Sequence, residues 1–264
     1  MQKIGVIGCG NMGSAIIDGI VRKKVFNSHD IYVYDIDSTK IDNIIRKYGI
    51  NAGELNEIVN ISDIVLLAVK PQESGNIFFD IKVSLDSTKT IVSIMAGVKL
   101  FTMNKALGEN IAIVRAMPNL AAVIGESMTS YACNDHVKNK DIINKLFSAI
   151  GSAREVKEEL LDAVTALSGS GPAYVFFLAD ALISAGIKAG LSEEDSYELA
   201  IKTIAGASSY LVRSGKNPSD LVKAVASKGG TTQAALNHFE EKQVKNTIIE
   251  AIQKAKERSI ELSK

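Results

Sequence analysis

The amino-acid sequence predicts an α/β fold for its first half, a doubly wound sheet with a mainly parallel core, followed by an all-helical second half. Three observations lead there. Short β-rich runs alternate with amphipathic stretches up to residue 156. A glycine-rich turn separates the first strand from the first helix. From about residue 158 only helical periodicity remains.

In the first half, strands are predicted over 3–7, 31–34, 64–68, 90–93, 111–115, 127–131 and 153–156. Helical patterns lie between most of them, over 11–22, 38–48, 75–83, 99–107 and 135–149. Short apolar strands joined through helices imply βαβ units, because parallel neighbours need a crossover. In the second half, helices are predicted over 158–167, 172–189, 192–214, 218–226, 231–239 and 242–263. Pro172 and Pro218 suit first turns, where a missing N–H costs nothing. Gly190 and Gly215 stand where C-terminal caps are expected, and Ser192 with Asp195 resembles a capping box with Asp for Glu.

Residues 173–187 are apolar nearly all round and interrupted by Asp180, whose role as interface or partly exposed residue stays open. That run is shorter than the roughly 18 residues a membrane span requires, so a buried helix is expected. Its cover comes either from the other helices or from a second subunit, and a dimer through the C-terminal half is expected. Thirty basic and thirty acidic side chains cancel, which points away from nucleic acid or an anionic membrane as partner. Cys9 and Cys133 are too few for a disulfide framework, and no leader pattern precedes the first strand, so a cytoplasmic location is expected. His29, His136 and His238 are scattered without acidic or cysteine neighbours, and no metal site is expected.

The first strand runs into Gly8-Cys9-Gly10-Asn11-Met12-Gly13 and then a helical run. Gly8 permits the tight turn, Gly10 lets backbone approach a pyrophosphate, and Gly13 lets helix and strand pack closely. The helix N-terminus adds free N–H groups for phosphate. This predicts a Rossmann-like dinucleotide-binding domain over 1–156. Cys9 is a small filler in that loop. Asp35, at the end of the second strand, would accept hydrogen bonds from the adenine-ribose hydroxyls and repel an extra phosphate, tilting the choice from NADPH to NADH; Asp37 and Ser38 compete with it as turn and cap residues. Ala68-Val69-Lys70-Pro71 follows another strand, and Lys70 reads equally as a cofactor neighbour or a solvated lysine.

Five segments in order carry a resemblance: residues 7–13, Ala68–Pro71, Arg115-Ala116-Met117-Pro118-Asn119, Ser168-Gly169-Ser170-Gly171-Pro172-Ala173-Tyr174, and Gly229-Gly230-Thr231-Thr232. Together with Leu221, Val225, Ala226, Ser227, Ala235, Leu236 and Phe239, they resemble the pyrroline-5-carboxylate reductase family over essentially the whole chain. The resemblance implies reduction of Δ1-pyrroline-5-carboxylate to L-proline by hydride from NADH or NADPH. It implies cofactor contacts at Ile7 to Met12, Ala68 to Pro71, and Ile94, Met95 and Ala96. It places substrate near Ser227, Gly229, Gly230, Thr231 and Thr232, and implies a homodimer with interlocked helical domains, often assembled into rings. Residues 157–264 then form a substrate-binding and dimerisation domain. Two positions depart from the family's usual pattern: Lys228 stands for a proline and Leu120 for a threonine.

Gly229–Thr232 precede an apolar helical run, so their N–H groups suit a carboxylate; the alternative is a plain cap made by Thr231. Thr232 is the residue expected to hydrogen-bond the ring nitrogen, its hydroxyl both donating and accepting. Ser168 to Gly171, with Ser170 the candidate substrate contact, reads either as pocket lining or as tight helix packing. A β-hydroxyacid dehydrogenase is disfavoured because its lysine four residues after the glycine pair is Val175 here. A dinucleotide-binding sensor without turnover has only Lys228 and Leu120 in its favour, against the intact Ser227 and Thr232.

Overall fold

The structure is a computed structural model that describes residues 2–263. It contains two compact units, one of residues 2–170 with 255–263, the other Gly171–Lys254.

The first unit is built on an eight-stranded sheet. Its elements run β1 (Ile4–Ile7), α1 (Asn11–Arg22), β2 (Ile31–Tyr34), α2 (Ser38–Tyr48), β3 (Asn51–Ala52), α3 (Leu55–Ile61), β4 (Ile64–Leu67), α4 (Ser74–Ile81), β5 (Thr90–Ser93), α5 (Leu100–Leu107), β6 (Ala112–Met117), β7 (Ser127–Cys133), α6 (Lys140–Ser148) and β8 (Gly151–Glu155). The order across the sheet is β3-β2-β1-β4-β5-β6-β7-β8. Every neighbouring pair is parallel except β6 with β7, so β7 and β8 run against the rest. This is the doubly wound arrangement expected, extended by a reversed edge.

Alternation along each strand splits the core in two. Ile4 and Val6 of β1, Ile64 and Leu66 of β4, and Val114 of β6 pack with Ile16, Ile17 and Ile20 of α1. Ile7, Val65, Leu67, Ile91 and Ile113 pack on the opposite face with Ile58 of α3, Phe78 of α4 and Met103 of α5. Period-2 burial on both faces explains why these strands read as continuous apolar runs.

β3 and α3 are absent from the sequence reading. Two residues are too few to show alternation, and the capping box that starts α3 uses Glu54 with Glu57 rather than a serine or threonine. The helix expected over 135–149 begins only at Lys140, because the Asn139 side chain caps it by accepting from the Ile142 N–H at 3.3 Å. The helix expected over 158–167 is a 310 turn (Glu158–Leu160), a short α7 (Leu161–Val164) and a π-helical segment (Thr165–Gly169).

The second unit holds α8 (Gly171–Lys188), α9 (Glu193–Ser214), α10 (Pro218–Val225), α11 (Thr231–Glu241) and the start of α12 (Val244–Leu262), whose last turns belong to the sheet unit. Pro218 occupies the first turn of α10, and Gly215 closes α9 at φ +59°. The Ser192 hydroxyl accepts from the Asp195 N–H at 3.0 Å and donates to the Asp195 carboxylate at 2.6 Å, so Asp195 closes on the hydroxyl and not on backbone. Of the two covers expected for α8, the other helices of the chain do not supply one: it buries only Ala179 within the protomer. The helical run it ends, Glu158–Lys188, is long and apolar enough to cross a membrane by length and composition alone, where a shorter run was expected.

Candidate active site

Four predicted cofactor segments leave the sheet from one edge. Tyr34, Ile7, Leu67 and Ser93 are consecutive partners across β2, β1, β4 and β5, each the last residue of its strand. The glycine turn follows Ile7, Asp35 follows Tyr34, Ala68–Pro71 follow Leu67, and Ile94, Met95 and Ala96 follow Ser93. In open parallel sheets, ligands bind outside these carboxyl ends, at the point where the strand order reverses.

The glycine turn has the shape a dinucleotide requires. Gly8 adopts φ +103° and donates its N–H to the Tyr34 carbonyl at 2.8 Å. A Cβ on Gly8 would lie 2.6 Å from the Ala68 carbonyl oxygen, and one on Gly13 would overlap the carbonyl oxygen of Gly8. A Cβ on Gly10 would meet nothing within 4 Å. Two glycines are therefore spent on close packing and the middle one faces open space. Gly10 is also the N-cap of α1 and no side chain caps that helix, which leaves first-turn N–H groups for an anion. Asn11 is exposed, Met12 is half-buried against the core, and the Ile7 and Cys9 side chains are buried, so Ile7 and Cys9 can face a ligand only through backbone.

Asp35 does more than the sequence implies. One carboxylate oxygen accepts the Cys9 N–H at 2.6 Å and the other the Asp37 N–H at 2.9 Å, so Asp35 braces the glycine turn against the end of β2. The competing cap role falls to Asp37, which accepts from the Thr39 N–H at 3.0 Å and caps α2. Lys40, missed in the sequence, places its ammonium 3.7 Å from Asp35 and offsets part of its negative charge. Its signal was its position in the first turn of the helix after Asp35. Burial, then the charge of Asp35, pushes the Cys9 thiol up to about 12, so it stays protonated and has no nucleophilic role.

Ala68, the last residue of the strand expected over 64–68, lies just past the observed β4 and donates its N–H to Ile7 at 2.8 Å. Val69 is half-buried, Lys70 is exposed, and Pro71 opens a 310 turn. In the next segment the Ile94 N–H donates to Leu67 at 3.1 Å, Met95 is buried in the core, and Ala96 is exposed.

Two other motifs meet inside the sheet unit. The Asn119 amide donates to the Ser168 carbonyl at 3.1 Å, and a Cβ on Gly169 would lie 2.5 Å from Met117. This is the tight-packing reading of the 168–171 glycines. Ser170 is half-buried, and its N–H donates to Thr165 at 2.9 Å, within the π-helical geometry. Neither Asn119 nor Ser168 was singled out, although both sit in quoted motifs.

In the helical unit, Ser227, Gly229, Gly230, Thr231 and Thr232 form one turn leading into α11. Gly229 adopts φ +74°, and the Gly230 N–H donates to the Ser227 carbonyl at 3.0 Å. The N-cap is Gly230 and no side chain caps it, which removes the reading in which Thr231 caps the helix. Thr232 is half-buried, while Ser227, Lys228 and Thr231 are exposed. The turn repeats the logic of Gly10: glycine at the cap, N–H groups unclaimed by side chains. Among the described residues no group of three or more His, Cys, Asp or Glu side chains could hold a metal ion.

Known proteins match this architecture from end to end. The chain is 37% identical over 266 aligned residues to pyrroline-5-carboxylate reductase of Escherichia coli, covering 100% of this chain and 99% of that one. It belongs to the pyrroline-5-carboxylate reductase family. The Methanosarcina acetivorans enzyme of that name is 36% identical, covering 100% of this chain and 98% of the relative. The family model for pyrroline-5-carboxylate reductase dimerisation matches residues 158–262, and one described as NADP oxidoreductase coenzyme F420-dependent matches 3–97. Among solved structures, a Plasmodium falciparum pyrroline carboxylate reductase with NADP bound superimposes with TM-score 0.89 at 32% identity, covering 100% of this chain and 98% of that one. The Coxiella burnetii reductase gives TM-score 0.93 at 30% identity, covering 100% and 99%.

Proposed function

We propose that this chain reduces Δ1-pyrroline-5-carboxylate to L-proline with NADH or NADPH, the last step of proline biosynthesis. The observation that carries this reading is full-length likeness to reductases of that name, 36% and 37% identical in two relatives. The row of loops at the carboxyl edge of the sheet supplies what such chemistry requires.

When bound, the nicotinamide supplies the hydride for C5 of the imine as the ring nitrogen gains a proton. The uncapped N–H groups at the start of α1 hold the pyrophosphate, and Gly10 gives it room. Each oxygen of Asp35 uses one acceptor site on backbone, which leaves capacity for ribose hydroxyls. NADH is preferred over NADPH, and Lys40 keeps that preference modest. Ala68–Pro71 and residues 94–96 flank the nicotinamide half. Gly229–Thr232 hold the substrate carboxylate with helix N–H groups, with Ser227 and Ser170 as further substrate contacts. The Thr232 hydroxyl bonds the ring nitrogen; a threonine is a weak acid near neutral pH, so it orients the imine and relays a proton from water. Residues 1–156 serve the cofactor and 157–264 the substrate and the pairing of subunits. The enzyme works in the cytoplasm as a homodimer or a ring of dimers.

The test follows NADH absorbance when purified protein meets the imine, with NADPH and a Thr232→Ala variant in parallel. Rapid oxidation that falls by about tenfold to a hundredfold in the variant is expected. Tight NADH binding without imine-dependent oxidation would overturn the assignment.

A further inference from the structure

The loop that follows β5 is held from behind by the last turns of α12. Gly97 adopts φ +78°, and a Cβ there would lie 3.0 Å from the Leu262 carbonyl oxygen and 3.5 Å from the Ser263 hydroxyl. Backbone meets backbone, and only glycine allows it. The contact is fastened by a buried polar chain. The Ser259 hydroxyl donates to Asp162 at 2.8 Å across 97 residues of sequence. The Ser263 hydroxyl donates to the Ser259 carbonyl at 2.8 Å and lies 3.4 Å from the same Asp162 oxygen. Arg115 on β6, 4% exposed, bridges Asp162 at 3.5 Å and Glu158 at 3.2 Å. Glu158 in turn accepts the N–H of Leu100, the first residue of α5, at 2.7 Å.

Residues 94–100 are therefore anchored at both ends of one network: at Gly97 by the end of α12 and at Leu100 by Glu158. A buried guanidinium with two carboxylates is costly unless the charges are paired and hydrogen-bonded, and the Ser259 hydroxyl adds a hydrogen bond to the Asp162 oxygen that lies nearest Arg115. In a doubly wound sheet the adenosine lies over β2 and the pyrophosphate at α1, so the loop after β5 faces the nicotinamide end.

We propose that Asp162, Ser259 and Ser263 are positioning residues that hold residues 94–97 for the nicotinamide half of the cofactor. The inference rests on the cofactor reading above. Because the latch acts on one half of the dinucleotide, its loss separates the two halves in a binding measurement. Ser259→Ala and Ser263→Ala are titrated with NADH, read by nicotinamide fluorescence, and with ADP-ribose, which lacks the nicotinamide, read by calorimetry. NADH binding is expected to weaken by about tenfold in Ser259→Ala and less in Ser263→Ala, with ADP-ribose within about twofold of the parent in both. A general loss of structure would weaken both ligands together, and that result overturns the proposal. Unchanged NADH binding in both variants overturns it too, while leaving the cofactor reading intact. A parent protein that binds neither ligand overturns the cofactor reading and the latch with it.

Discussion

In the sheet unit, β1 and β4 bury all four of their residues, whereas α8, the most apolar helix of the other unit, buries only Ala179 of eighteen. α9 buries Ser196 and Ala200, and α10 and α11 bury nothing. Phe176 and Phe177 remain 59% and 77% exposed. Both regions are rich in apolar residues, so composition does not separate them. The sheet packs helices against both faces of its central strands and closes its own core. The helical unit has no such arrangement within one chain, and an apolar surface of that size marks an interface. The family's dimerisation model, residues 158–262, spans the same helices. The lesson is that one unit carries its core in the protomer while the other leaves its most apolar helix uncovered there.

The sharpest way to break this comparison is a charge on α8. Phe177→Glu is expected to abolish the dimer in analytical ultracentrifugation and lower activity by about a hundredfold or more, while NADH binding stays within about threefold. Joint loss of NADH binding would mean the sheet unit does not stand on its own core. The reciprocal change is Gly13→Ala, where the new methyl would overlap the Gly8 carbonyl. NADH binding should weaken by about a hundredfold, with the dimer preserved. A smaller effect comes from Asp35→Ser. Removing the carboxylate should shift the ratio of kcat/KM for NADPH over NADH upward by about tenfold, with part of the loss in both cofactors because Asp35 also braces Cys9. No change in the ratio would make Asp35 a brace alone.

The smallest effect reads burial in the sheet unit directly. The Cys9 thiol, pushed up to about 12 first by burial and then by Asp35, should resist iodoacetamide in the folded chain up to about pH 10. The sign is definite. Above the ordinary value of 9.0 the unfolded chain releases this proton and the folded chain keeps it, so stability falls as pH rises towards about 12. Alkylation of Cys9 at neutral pH in the folded chain would contradict its place in the core.

Much of the fold was legible because its signals are local. The apolar runs of β1, β4 and β5, the glycine turn at 8–13, the first-turn Pro218 and the C-cap Gly215 each express a backbone rule within a few residues. The place of the proposed cofactor segments was legible for the same reason, since each follows a strand end. β3 and α3 escaped because two residues carry no periodicity and a glutamate cap carries little signal. The motif glycines 229 and 230 were found, but whether Thr231 or Gly230 capped α11 depended on backbone angles that spacing does not encode.

What the sequence determined by itself was the doubly wound core, the helical second half and the strand ends proposed to carry the cofactor. Side-chain period and turn chemistry act between near neighbours, so they are written in consecutive residues. Tertiary structure alone decided that β7 and β8 reverse, that Asp35 holds Cys9, and that the end of α12 returns to the sheet unit to meet Asp162 and Gly97. Those contacts join residues far apart in the chain, and a buried carboxylate takes whichever donors the packed fold brings to it.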